Sequence, residues 1–289
     1  MEASSSICPR ARSVAPTSVA SQQAGTRSPS VGEVPARHAH SSLLETLQRV
    51  IERTYDLDTG VTDIGRFVIG DQGFRALYGR WHDAGLIRET VADPPTVAGS
   101  ASAVMPVSGA MAAGSASGTA RTLVREQDGG LALSIYYPDA LVRCLEGNDP
   151  TRRLDDGNVD SFNTLVEELD HFLVIADRFR SQGVVSLMDL ELHANVTKYL
   201  VLKMFVGKLR RASRLAPADA AWVKQQIFDR GEYVAEDPNV RARYREASRL
   251  AARYIGALDD LAPASRVAAL RRFHRMPPQA KVAHINAVS

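Results

Sequence analysis

Along most of this chain apolar residues recur at helical spacing. Leu43, Leu44, Leu47, Val50 and Ile51 form one stripe, with Ser41 and Ser42 placed to cap the helix and Glu45 where a capping-box acid belongs. Val159, Phe162, Val166, Leu169, Leu173 and Ala176 predict a helix over about 156–180, whose second half adds Phe172, Val174 and Ile175. A second helix over about 187–211 is apolar on every side. Helices apolar all round belong at the centre of a core, and the short Ser181-Gln182-Gly183 break makes these two an antiparallel hairpin. Three further helices, about 217–230, 238–259 and 263–276, each open with a proline suited to a first turn: Pro217, Pro238 and Pro263. Asp237 caps the middle one, and Pro277-Pro278 is expected to end the run.

The period shortens to two in one place. Thr122, Val124, Leu131, Leu133 and Ile135 alternate around Asp128-Gly129-Gly130, which predicts a β-hairpin at about 121–137. Phe67-Val68-Ile69, between Gly65 and Gly70, reads as a short strand, and Phe74 to Trp81 as a helical turn or two. Pro138 and Asp139 start a helix to about Leu145 that Gly147, Asn148, Asp149 and Pro150 stop. The fold class is therefore mainly α, at the margin of α+β: a multi-helix bundle around the 156–211 hairpin with a small β-hairpin beside it.

Residues 1–41, rich in Ser, Ala, Pro and Arg without periodicity, are expected to be a disordered tail. Residues 42–93 are too few for a robust independent core and are expected to pack on the main one. The Ala/Gly/Ser-rich stretch 94–120 reads as a flexible linker or loop, and 121–289 as the β-hairpin plus helical domain. With 289 residues, 45% hydrophobic and 24% charged, a wholly disordered or fibrous chain is excluded. Two cysteines, Cys8 and Cys144, exclude a disulfide framework and a cysteine-built zinc site. No apolar run approaches the roughly 20 residues of a membrane span, and no signal peptide is visible, so a cytoplasmic location without membrane contact is expected.

The net charge of +2 conceals a gradient. Basic and acidic residues balance at 11 each through Thr122, stand at 7 against 14 from Leu123 to Leu202, and at 17 against 8 thereafter. Arg241, Arg245, Arg249 and Arg253 fall roughly along one helix face and form a candidate basic surface. Interleaved Glu246, Asp259 and Asp260 dilute its field, and no recognition-helix or aromatic RNA-binding signature accompanies it.

The candidate chemistry lies on the apolar hairpin. Glu167-Glu168-Leu169-Asp170-His171 is followed one helix later by Asp189-Leu190-Glu191-Leu192-His193. Glu168 and His171, three apart, are the Glu-x-x-His half-motif of di-metal carboxylate bundles, and Asp189 and His193, four apart, share a face. Glu168, His171, Glu191 and His193 are thus the candidate metal ligands. Only one such half-motif is present, however, and on a helical wheel His171 lies nearly opposite the Val166, Leu169 and Leu173 stripe, which predicts a solvent-facing ring. The competing reading is a polar seam of Glu168, His171, Asp189 and His193 held by hydrogen bonds and ion pairs. No Gly-Lys-Ser/Thr phosphate loop, His-Glu-x-x-His or Gly-x-Ser-x-Gly elbow is present.

Three functional readings follow. The first is a non-enzymatic interaction or regulatory protein that docks a protein partner on its basic C-terminal face and needs no cofactor. The second is a hydrolase-like enzyme that uses a divalent metal on the Glu168/His171 and Glu191/His193 constellation. The third is a nucleic-acid binder that uses the basic C-terminal helices.

Overall fold

The computed structural model of the chain describes residues 38–83, 104–106, 120–127, 130–229 and 237–288, all within one compact unit, Ala36–Ser289. The fold is mainly α with a small sheet. Helices α1 (His38–Tyr55) and α2 (Asp71–Asp83) precede the hairpin. Helices α3 (Asp139–Gly147), α4 (Val159–Arg180), α5 (Leu187–Arg210), α6 (Pro217–Lys224), α7 (Pro238–Asp259), α8 (Pro263–Arg275) and α9 (Pro278–Ala287) follow it. Strands β1 (Val68–Ile69), β2 (Val104–Pro106), β3 (Arg121–Gln127) and β4 (Gly130–Tyr136) form one sheet in the order β1-β4-β3-β2. The β3–β4 hairpin pairs antiparallel from Arg121↔Tyr136 to Gln127↔Gly130, and β1 joins β4 in parallel.

Helices α4 and α5 are the buried hairpin that their apolar circumference predicts. Phe162, Leu169, Phe172 and Leu173 of α4 and Leu192, Val196, Tyr199 and Leu202 of α5 are almost wholly excluded from solvent. Each such side chain contributes about 1.5–3 kcal/mol of transfer free energy. Ser186 caps α5 by accepting from the Asp189 backbone N–H at 3.1 Å, and Arg211 closes it in the left-handed conformation with φ 51°. Asn158 pins the turn into α4, because its side-chain amide donates to the carbonyls of Asn148 and Arg153 while its oxygen accepts from Asp155 N–H. The sheet, α1 and α5 pack on α4, and α7 covers the far side of α5. Tyr137 ties the sheet to α4 by donating its hydroxyl proton to the Leu165 carbonyl at 2.7 Å.

The structure corrects several expected boundaries. Pro277-Pro278 does not end the helical run. Pro278 opens α9, because a proline at the first helical position forfeits no intrahelical hydrogen bond. Helix α1 begins at His38, so Ser41 and Ser42 lie inside it, and Phe67 closes a 3-10 turn, Ile64–Phe67, ahead of the two-residue strand. Within the stretch read as a linker, Val104–Pro106 pairs antiparallel with β3; residues 94–103 and 107–119, like the tail before His38 and the turn residues Asp128 and Gly129, lie outside the described residues. The helix expected over 217–230 passes from α6 into a π turn at Gln225–Asp229. No helix among the described residues is long and apolar enough to cross a membrane.

Candidate metal centre

The α4–α5 hairpin carries an unusual load of ionisable side chains for a core. Glu167, Glu168, Asp170 and His171 of α4 and Asp189, Glu191 and His193 of α5 are all buried. His171 is fully excluded from solvent, which overturns the solvent-facing expectation. The wheel considered only the helix's own stripe, whereas the sheet and α5 enclose α4 on further sides.

The four ligands expected from sequence do not converge on one point. Glu168 is held by β3, since the Thr122 hydroxyl lies 2.9 Å both from its carboxylate and from its main-chain carbonyl. Its Oε2 is 3.9 Å from His171 Nδ1, an ion-pair distance too long for a hydrogen bond. His193 faces the other way, toward Asp170. The structure instead brings Glu167, His171 and Glu191 together, with one potential ligand atom of each lying within 4.8 Å of the others. Glu167 is four residues before His171, about 40° away around the helix, closer to its face than Glu168 at three residues.

Both ring nitrogens of His171 and Oε1 of Glu191 are buried without a hydrogen-bond partner. Burial alone would push the His171 imidazole down, but Glu168, Glu191 and Glu167 around it prevail and hold it up at about 9. Burial pushes the Glu191 carboxyl up to about 8; His171 pulls against this and Glu167 adds to it. Glu167 is pushed up by burial too, yet it ends below the usual carboxylate range because Lys198 Nζ donates to its Oε2 at 2.6 Å. Tyr244 of α7 also acts on Glu191, pulling its carboxyl down against the push of burial.

A second polar constellation adjoins the first on α4 and α5. Asp170 meets His193 Nδ1 at 2.8 and 3.0 Å and accepts from the Thr197 hydroxyl at 2.7 Å. His193 Nε2 lies 3.3 Å from His274 Nδ1, and His274 Nε2 lies 2.9 Å from Asp177 Oδ2. Asp177 in turn accepts from the Asp58 backbone N–H, so the line runs from the core to the surface. Both carboxyls are held below their usual range, against burial, by the imidazoles they face. Burial, with the neighbouring ring and Arg178 adding, holds His274 down to about 4 against the pull of Asp177. Three consecutive hydrogen bonds need three ring protons. Two neutral imidazoles supply only two, so the tautomers of the two rings decide which of the three contacts carry a proton. Asp189 belongs to neither constellation, because Lys281 of α9 donates to it at 2.6 Å in a pair that is almost fully buried.

Of the basic residues, Arg249 donates twice to Glu246, Arg253 donates to Asn286, and Arg241 is also engaged within the fold, while Arg245 is exposed. Sequence reasoning missed Glu167, Asp170, Asp177, Lys198, Tyr244 and His274. The i, i+4 relation of Glu167 to His171 was the one local signal that could have found any of them as a ligand.

Fold and site together define a mainly helical protein with a buried carboxylate and imidazole centre. No family model matches this chain, and neither the curated proteins nor the solved structures contain a significant match.

Proposed function

We propose that this protein binds one divalent transition-metal ion in its helical core, with Glu167, His171 and Glu191 as ligands. The observation that carries this reading is that both His171 ring nitrogens and Glu191 Oε1 are buried without a hydrogen bond while His171, Glu191 and Glu167 each offer a ligand atom within 4.8 Å of the others. A buried polar atom left unsatisfied costs about 1–3 kcal/mol, and an ion bonded to all three ligands removes that cost at Glu191 Oε1 and at one of the two His171 nitrogens. Ion-to-ligand distances of about 2.0–2.2 Å require the ligand atoms to close by roughly 1 Å, within reach of glutamate rotamers. One imidazole and two carboxylates suit zinc, manganese, iron or cobalt better than calcium, and the absence of sulfur in the set disfavours copper(I).

The ion's role in this reading is to couple metal binding to folding. Neither of the two clefts described reaches the ligands. One, of about 450 Å³, is lined by Ala264, Val267, Ala268, Arg271, Arg272 and Arg275 of α8, and the other by Asp58, Asp177, Arg180 and Ser181. The hydrolase-like reading needs substrate at the metal, and neither of these two clefts provides it there. Titration of metal-stripped protein with zinc, manganese or cobalt is expected to give one site per chain and a raised Tm. Glu191→Gln and His171→Asn are expected to abolish both. Folded wild-type protein that takes up none of these ions, nor iron(II) under anaerobic conditions, would sink the reading.

The α8 cleft favours a second reading, docking of an acidic protein segment. Its apolar floor at Val267, 40% exposed, beside three guanidinium groups offers both contact area and charge complementarity. Affinity for an acidic amphipathic peptide that falls with salt and with Arg272→Ala is the expected outcome; indifference to both refutes it.

A further inference from the structure

The metal centre contains its own cation. Lys198 projects from α5 two turns beyond Glu191, on the same helix face, and its ammonium lies 2.6 Å from Glu167 Oε2. Unlike His171 and Glu191, which are sealed in, the Lys198 side chain is 14% exposed, so it lies at the edge of the core. A lysine of this kind keeps its methylene stem packed while the ammonium moves between a buried partner and water.

Three glutamates, Glu167, Glu168 and Glu191, crowd around His171 in a region of low dielectric. Such a cluster is costly unless positive charge compensates it, and without an ion that charge comes from the His171 imidazole at its centre and from Lys198 at Glu167. An incoming divalent ion delivers the same compensation at the same carboxylate. Ammonium and ion then repel each other across one side chain, and Lys198, partly exposed on a long flexible stem, has a route out.

We infer that Lys198 is an internal placeholder cation: it occupies Glu167 while the centre is empty, competes with the metal for that carboxylate, and swings toward solvent when the ion binds. This rests on the metal-binding reading above. It adds a regulatory element, because the affinity of the centre is then set by how firmly Lys198 holds Glu167.

The experiment compares wild-type protein with Lys198→Met, which preserves the stem and removes the charge. Metal-stripped samples are titrated with Zn²⁺ and Mn²⁺ by calorimetry, after circular dichroism has confirmed the fold. The expected result is a Kd about tenfold or more tighter in the variant, together with a larger Tm rise on metal addition. A variant that binds equally or more weakly overturns the proposal, since Lys198 would then be a bystander or would orient Glu167 for the ion. A second measurement needs no variant. Wild-type protein is acylated with an N-hydroxysuccinimide ester, with and without Zn²⁺, and each lysine is quantified by mass spectrometry. Lys198 is expected to react several-fold faster with metal bound, while Lys203, paired with Asp259 on the far part of α5, stays unchanged. Unchanged Lys198 reactivity in protein that binds zinc stoichiometrically refutes the displacement and leaves metal binding intact. Failure of wild-type protein to bind any ion is the separate result that removes both.

Discussion

Asp170→Asn is the substitution that most directly tests the electrostatics of the second constellation. Asp170 and His193 are both fully excluded from solvent, and the carboxylate receives His193 Nδ1 at 2.8 and 3.0 Å and the Thr197 hydroxyl at 2.7 Å. The asparagine is nearly isosteric, so packing is preserved. It removes the negative charge that faces the His193 imidazole. It also replaces an acceptor with an NH₂ group, so a donor faces a donor on either the histidine or the threonine side. Breaking one partner of a buried ion pair costs about 3–5 kcal/mol. For a domain of this size that lowers Tm by roughly 8–16 °C and consumes a large part of a total stability of about 5–15 kcal/mol. The assay is urea unfolding followed by circular dichroism, with chelator present so that the neighbouring centre contributes nothing. His193→Gln and the double variant complete the cycle, and a coupling energy of about 2 kcal/mol or more is expected. A loss below about 1 kcal/mol for Asp170→Asn, or additive single losses, would refute the claim that a coupled carboxylate and imidazole network lies in the core.

Metal affinity is expected to rise with pH. In the metal-free protein His171 is held up at about 9 and Glu191 at about 8, so below pH 8 an ion displaces a proton from each, and log Kd should fall by about two per pH unit. The slope declines between pH 8 and 9 and vanishes above; calorimetry in buffers of different ionisation enthalpy counts the protons, and a flat profile from pH 6 to 8 contradicts the ligand assignment. Lys281→Met leaves Asp189 buried and alone and is expected to cost about 3–5 kcal/mol, whereas Asp189→Leu with Lys281→Met should lie within about 1 kcal/mol of wild type. Denaturation curves in which the double variant is no better than the single one would mean that the pair does not account for the loss. Asn158→Ala removes three hydrogen bonds at the entry to α4 and should cost about 2–3 kcal/mol. A Tm unchanged within 1 °C would show that the turn is held by other contacts.

What the sequence revealed of this molecule tracks how local each signal was. The α4–α5 hairpin, the β3–β4 hairpin and the proline-led starts of α6, α7 and α8 depend on neighbours within a turn or two, and all are visible in apolar spacing or turn residues. Helix α9 was missed because a proline pair was read as a stop, although proline is as compatible with a first turn as it is with an end. The site failed for a different reason. A helical wheel ranks faces by apolar content, and α4 is enclosed on several sides, so burial of His171 could not be read from its own helix. Glu167 and Glu168 are both spaced to meet His171, and the choice between them is made by Thr122, 46 residues before Glu168.

The charge gradient has its physical meaning in the same long-range pairing. The acidic middle of the chain meets the basic end inside one fold: Lys281 reaches Asp189 across 92 residues, and His274 reaches Asp177 across 97 and His193 across 81. The carboxylates of α4 and α5 are therefore not a solvated face, and part of the C-terminal excess of positive charge is committed to them. Glu167 and Glu191 differ from Asp170, Asp177 and Asp189 in this respect. The three aspartates obtain their counter-charges wholly or partly from α8 and α9, whereas the two glutamates have only His171 and Lys198 from within the hairpin. Glu167, Glu168 and Glu191 are thus the hairpin carboxylates that the C-terminal helices α8 and α9 leave to local partners, and two of these three converge with His171, which is why the proposed ion falls there.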